Sequence, residues 1–339
     1  MAIIKTLKNL FNNHIVHPVT TTKAVFDNRY GWLSNILESY NNDNLLLNSN
    51  FTVCQRNTSG SFVFNNEQSG SYLFDRWRFC GESDAFITSE LGRGLTYSLS
   101  ADTDGASVNY MEQPIDESVW KLMGDKRVTL SSKITTNGHT TAKLFMKYID
   151  KYMAIHNTTK DLSDVLIEGE PTTVSMTFRV PNMSDVKTLI VGIILMETGS
   201  DNVIPSGSNT NVEYVKLEVG VVATPNAALT HTVDELELCK KYYQVVNIGD
   251  LRASSISDNS ITAQYGPLVN MRCSGVCECV SGSLYTFEIA SGEVVDADLI
   301  VDHDNNNGYG QLTLTANKTS HGLTDGVFRN VTVTIDCEL

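Results

Sequence analysis

Several sets of residues have the types and spacings that chemistry requires. Asp75, Arg76 and Trp77 are consecutive, and an acid–base pair beside an indole could clamp a ligand. If residues 72–79 form one strand, Asp75 and Trp77 share a face and Arg76 takes the other. A structural role fits this better, with Trp77 as a core anchor and the charged pair holding backbone or a charge partner. Asp302, Asp304 and Asn306 have the one-three-five spacing of a calcium loop. The sixth position is Asn307 rather than glycine, and the twelfth is Thr313 rather than a bidentate glutamate. A hairpin turn accounts for the same residues, so no bound metal is expected. Cys273, Cys277 and Cys279 also cluster, but structural zinc sites need a second ligand pair. In a strand, Cys277 and Cys279 would share one face as free thiols.

Catalytic signatures are poor. The chain has no G-x-S-x-G, no H-E-x-x-H and no glycine-rich phosphate loop, and its seven histidines are dispersed. With 39 Asp and Glu residues some carboxylate pair is inevitable, so a glycosidase pair cannot be read from composition. The expectation is a protein that is not an enzyme and that needs no cofactor.

Bulk properties narrow the class. A chain of 339 residues is long enough for two domains and an extension. Its 41% hydrophobic and 19% charged content is that of a folded chain. A net charge of −14 argues against general nucleic-acid binding, which needs clustered Lys and Arg. No run of 18 apolar residues exists, so no membrane insertion is expected. Asn9, Asn12, Asn13 and His14 interrupt the apolar stretch a signal peptide would need, so the expectation is synthesis in the cytoplasm. Lys5, Lys8 and Lys23 precede the first acid, Asp27, giving a basic tip that could dock on an acidic partner or be a solvated terminus. Seven scattered cysteines do not suggest a disulfide framework.

The elements that would position these residues are mostly strands. Residues 1–43 read as an extension. Leu33, Ile36, Leu37 and Tyr40 form a short helical stripe that must pack on its own domain or on sister copies. From 44 to 226, short alternating segments such as GLTYSLS, RVTLSSKI and TVSMTFRV are separated by polar turns. They predict a jelly-roll-like β-sandwich, with TLIVGIILM (188–196) as a central strand. Loops are expected at 100–106, 135–141, 150–165 and 197–211. They could carry a sugar platform, with Tyr152 as a candidate. Pro225 ends the sandwich's last strand, because it cannot donate to a ladder. Thr232 and Glu235 then have capping-box spacing, predicting a helix over 233–245. Residues 227–339 combine this helix with a small second β domain. The fold class is thus mainly β: a sandwich, a short helix and a second β unit behind an N-terminal extension.

Four blocks line up in order: NLLLNSNFTVCQR (44–56) with YLFDRWRF (72–79); MGDKRVTLSSKI (123–134); LEVGVVATP (217–225) with ELELCKKYYQ (235–244); and NMRCSG (270–275) with the terminal VTIDCEL. In this order they resemble the C-terminal region of many bacteriophage tail-fibre and other virion appendage proteins. Cys54, Cys239 and Cys273, and CKKYY in place of CQRYY, depart from that pattern. The resemblance implies a carbohydrate-binding-module-like sandwich displayed on a virion. It implies a homotrimer joined to other virion proteins through residues 1–43, with host-surface glycan as the target. It is also compatible with a capsid-mounted head fibre or a tail adaptor that has no glycan ligand. Within the motifs, which also include Phe51, the asparagines Asn44, Asn48 and Asn50 are expected to make turn and strand-entry hydrogen bonds, and Gln55 and Arg56 to bridge sheet edges in the same way. Of Tyr242 and Tyr243, one is expected to face the core and the other a neighbouring chain or domain.

Overall fold

The computed structural model describes residues 26–27, 31–32 and 44–338, apart from breaks at 57–59, 91–92, 104, 225–231, 257–259, 269–270, 272–275, 289–293, 296–298, 305–309 and 318–322. The basic tip, the 33–40 stripe, Pro225, Cys273 and Asn306 lie outside the described residues.

Alternation builds the first unit. In chain order its elements are β1 (Ser61–Phe64), β2 (Ser71–Phe74), β3 (Trp77–Cys80), β4 (Ala85–Glu90), β5 (Gly94–Leu99) and β6 (Ser107–Ile115). The helix α1 (Glu117–Met123) follows, then β7 (Arg127–Asn137), β8 (Lys143–Asp150), β9 (Ile155–Asp161), β10 (Thr172–Arg179), β11 (Val186–Thr198) and β12 (Asn209–Val219). Two six-stranded sheets result, in the orders β9-β8-β11-β6-β3-β2 and β10-β7-β12-β5-β4-β1. All the pairings described are antiparallel. Inward residues such as Phe79, Met111, Leu130, Leu144, Val191 and Leu217 pack into one core between the sheets. TLIVGIILM lies inside the first sheet as β11, flanked by β8 and β6. Gly94 opens β5 with φ near +78°, and a Cβ there would sit 2.1 Å from the Val212 carbonyl oxygen, so only glycine fits.

The second unit follows α2 (Thr232–Cys239) and comprises β13 (Tyr243–Arg252), β14 (Ser255–Ile256), β15 (Ser260–Leu268), β16 (Val276–Glu288), β17 (Val294–Val295), β18 (Leu299–Asp304), β19 (Gly310–Asn317) and β20 (Leu323–Asp336). These form two four-stranded sheets, β13-β20-β16-β17 and β14-β15-β19-β18. Their own core includes Val246, Ile261, Leu312, Leu314, Phe328 and Val333.

Three expectations are corrected. The helix expected over 233–245 ends at Cys239. Tyr243 and Gln244 instead pair with Asp336 and Ile335, and Cys337 N donates to the Tyr242 carbonyl at 2.7 Å, so the ladder claims this stretch. Asp75 and Arg76 are not strand residues but the two-residue turn joining β2 to β3, with Phe74 paired to Trp77 and Arg76 at φ 71°. The expected loop 150–165 contains strand β9, which completes the sheet beside β8.

One buried group makes the sandwich acid-sensitive. His139 lies 3.0 Å from Thr210 Oγ1 through Nε2 and 3.3 Å from Thr141 through Nδ1. Burial pushes its pKa down to about 4 from the usual 6.5. The unfolded chain therefore takes up a proton that the fold refuses. Stability present above pH 6.5 is lost as pH falls through 4, by about 3 kcal/mol in full. Urea unfolding at pH 7.5 and 4.5 should show the native chain losing about 2–3 kcal/mol relative to His139→Gln as the pH falls, a difference that leaves out every other titrating group.

Candidate functional site

The strand register gathers polar and aromatic residues on the outward face of the first six-stranded sheet. One rung runs Tyr72, Arg78, Glu112, Gly192, Phe145 and Thr159 across six strands. On β6, Met111 and Gln113 point toward the other sheet, so Tyr110 and Glu112 point outward. Lys143 and Lys147 flank Phe145 on β8 by the same alternation.

Gly192 lies beneath the Phe145 ring: a Cβ there would meet the Met111 carbonyl oxygen at 2.2 Å and Phe145 Cζ at 2.5 Å. The absent side chain lets the phenyl ring settle onto the sheet. Tyr110 meets Phe145 edge-on at 5.7 Å and 86°. Beside this pair, Glu112 is fully buried and accepts hydrogen bonds from Arg78 and from Lys147, the latter at 2.8 Å. Burial alone would lower the Arg78 pKa, but the bond and charge of Glu112 hold it above the ordinary value. The Arg78 and Lys147 side chains remain 32% and 23% exposed. Burial, with the neighbouring Cys80, raises the Tyr110 hydroxyl. The arrangement offers an aromatic body beside donors held in place by one carboxylate, which suits binding a polar, hydroxylated ligand.

The motif residues of the sequence converge elsewhere, where the two units meet. Asn44 bonds β12 through Val215 O at 2.8 Å and Leu217 N at 3.0 Å. Asn48 Nδ2 donates to Val53 O at 2.7 Å and Asp75 O at 2.9 Å, its Oδ1 accepts from Val53 N, and its carbonyl accepts from Trp77 Nε1 at 2.9 Å. Phe51 packs on Trp77 at 5.3 Å. Gln55 Nε2 donates to Asp75 and to the Tyr243 carbonyl. Arg56 is paired with Glu338 at 2.6 Å, Asp336 at 3.1 Å and Asp75 at 3.6 Å, and lies over the Tyr243 ring at 3.7 Å. Arg76 N donates to Glu338 at 2.6 Å, its guanidinium donates to the Pro114 carbonyl, and it stacks on Tyr242 at 3.7 Å. Both tyrosines are buried in this junction. Glu235 of α2 accepts from Ser49 N at 3.3 Å, and Thr232 is the first residue of that helix.

Three carboxylates here share two guanidiniums, so one negative charge is in excess. Burial raises Glu338 to about 7 against the pull of Arg56 and Arg76, and also raises Asp75. A cavity of about 520 Å³ lies alongside, between Leu45, Leu47 and Val119 on one wall and Leu238 on the other, next to the Arg76–Tyr242 stack.

The remaining candidates lie apart from both groups. Tyr152, 80% exposed, sits at the tip of the β8–β9 hairpin. Asp150 holds that turn by accepting from Tyr152 N and Ala154 N, and His156 stacks on Tyr148 at 4.5 Å. Asp302 and Asp304 are ladder residues of β18, opposite Thr313 and Gln311. Cys277 and Cys279 lie on one face against the second core, and burial raises Cys277 to about 11. No cluster of three or more metal-type ligands occurs among the described residues.

Reading the sequence alone missed Tyr110, Glu112, Phe145 and Lys147. Alternation in ASVNYMEQ and TAKLFMKYI marks each as facing away from its core neighbours. It cannot show that β6 and β8 are joined through β11.

No protein-family model matches the chain, and no curated protein matches it in sequence. Among solved structures, it is similar to the CBM22-1 xylan-binding domain of Paenibacillus barcinonensis Xyn10C, at 9% identity and a TM-score of 0.32, over 53% of this chain and 97% of that one. The C-terminal family 22 carbohydrate-binding module of Clostridium thermocellum Xyn10B gives 13% identity and 0.30, over 49% and 99%. The enzymatically active domain of bacteriophage CBA120 tailspike protein 4 gives 12% and 0.32, over 52% and 21%. Scores this low carry nothing about ligand or partner, which must be read from the chain's own residues.

Proposed function

We propose that this chain is a non-enzymatic binding protein of a phage virion appendage, and that its sandwich recognises host-surface glycan on the outward face of the first sheet. The observation that carries the binding reading is the fixed Arg78–Glu112–Lys147 group beside Tyr110, a half-exposed ring backed by the buried Phe145. An aromatic face with pre-oriented donors is what a sugar ring needs: apolar C–H surface meets the ring and hydroxyls meet the donors. The ordered NLLLNSNF, DRW, LEVGVVATP and CKKYY blocks support the virion setting, with assembly as a homotrimer joined to other virion proteins through residues 1–43. Glycan-array binding by the intact chain tests the site. Tyr110→Ala removes the half-exposed ring of the pair, and it should reduce binding at least ~tenfold while sedimentation and melting stay near native. Unchanged binding by that variant would move the site elsewhere.

One observation favours a second reading, a head fibre or tail adaptor without a glycan ligand. Every residue of the edge strand β9 is exposed, and the hairpin tip presents Tyr152, Met153 and Ile155. A sheet edge of this kind suits addition of a partner strand. Absence of binding across the array, together with protection of residues 150–161 in assembled particles, would select this reading.

A further inference from the structure

The charges on the outward face are not evenly spread. Around Glu112, two cations meet one carboxylate, leaving one positive charge in excess at the centre of the face. Glu112 is completely buried, whereas the side chains of both cations stay partly exposed. Farther along β8 the balance reverses. Lys143 is paired with both Glu197 and Asp161, the latter at 3.5 Å, leaving one negative charge in excess. Lys143 and Lys147 are four residues apart on one strand, roughly 13 Å. The face is therefore a dipole laid along the strand direction, with the Tyr110–Phe145 pair between its ends.

We infer that the ligand of this face is an acidic glycan, whose sugar carboxylate is received by Arg78 and Lys147 while the neighbouring sugar, next to Glu197 and Asp161, is neutral. This rests on the reading of the face as a glycan site. Arg78 and Lys147 carry positive charge on partly exposed side chains, and Glu112 holds both oriented in advance, so little side-chain freedom is lost on binding. The excess negative charge beside Lys143 repels a second carboxylate at that distance. A chain with one acidic sugar between neutral ones fits, and a contiguous polyacid does not. A general polyanion is disfavoured further by the net charge of −14 on the whole chain.

The test uses the full chain and an array of uronate-containing oligosaccharides, each printed beside its carboxyl-reduced counterpart, with neutral glycans and dextran sulfate alongside. The carboxylate member of a pair should bind ~tenfold tighter than its reduced twin, and its affinity should fall with added salt. Lys147→Gln should weaken the acidic member and spare the reduced one. Equal binding of both members, binding of neutral glycans alone, or equal binding of dextran sulfate would overturn the inference while leaving a glycan site. Failure of every glycan would instead remove the reading beneath it.

Discussion

Arg56→Met should destabilise the chain by about 3–5 kcal/mol at pH 8, because it removes one partner from a buried charge cluster and leaves the others behind. Arg56 faces Glu338, Asp336 and Asp75, and its guanidinium covers Tyr243. Methionine matches the length of the stem but supplies no donor. The cost should shrink toward pH 5, where the carboxylates can take up protons. In the native chain the same cluster gives a distinctive pH dependence. Glu338 titrates at about 7 in the fold against an ordinary 4.5. A raised carboxylate contributes stability that is full below 4.5 and lost as pH rises through 7, about 3 kcal/mol in all. Glu338→Gln keeps an acceptor for Arg76 N without the charge, so it should flatten this dependence and be at least as stable as the native chain at pH 8. Urea unfolding of the three proteins at pH 5 and 8 checks both statements. A native junction that strengthens from pH 5 to 8, after the His139 contribution is subtracted with His139→Gln, would contradict the excess-charge account.

Asn48→Ala should cost about 3–5 kcal/mol, a loss comparable to that of Arg56→Met. Its amide makes three hydrogen bonds within the fold, to Val53 twice and to the Asp75 carbonyl, and its own carbonyl serves Trp77. The side chain is fully buried, so the groups it deserts are left without water. Its φ of 51° adds a cost for alanine that asparagine and glycine largely avoid. Asn48→Gly should therefore recover about 1 kcal/mol relative to alanine, the backbone share of the loss. Thermal unfolding of the two variants separates the shares. Indistinguishable melts would mean that the backbone conformation contributes nothing.

These two residues show how much could be read in advance. Asn48 and Arg56 stood out as motif members, and a structural role could be argued from their types alone. What Arg56 touches could not. Its partners Asp336 and Glu338 lie at the far end of the chain, and Asp75, which the sequence pattern puts in a strand, is held in the β2–β3 turn. The helix expected to run to 245 failed for a related reason. The periodicity of LELCKKYY is helical, but pairing of Tyr243 and Gln244 with Asp336 and Ile335 outweighs a local preference worth fractions of a kcal/mol per residue.

By itself, the sequence determined what depends on near neighbours. The mainly β class, most strand positions and the side of each strand that faces a core all follow from a two-residue period along the backbone. Only the tertiary structure decided which strands became neighbours. Glu112 meets Arg78 and Lys147, and Phe145 covers Gly192, because β3, β6, β11 and β8 lie side by side in that order. Strand order is settled by burying two whole sheet faces at once, a condition on distant segments that no local pattern carries. The outward face was therefore written in the sequence as scattered letters, and it became a site only when the sheet closed around β11.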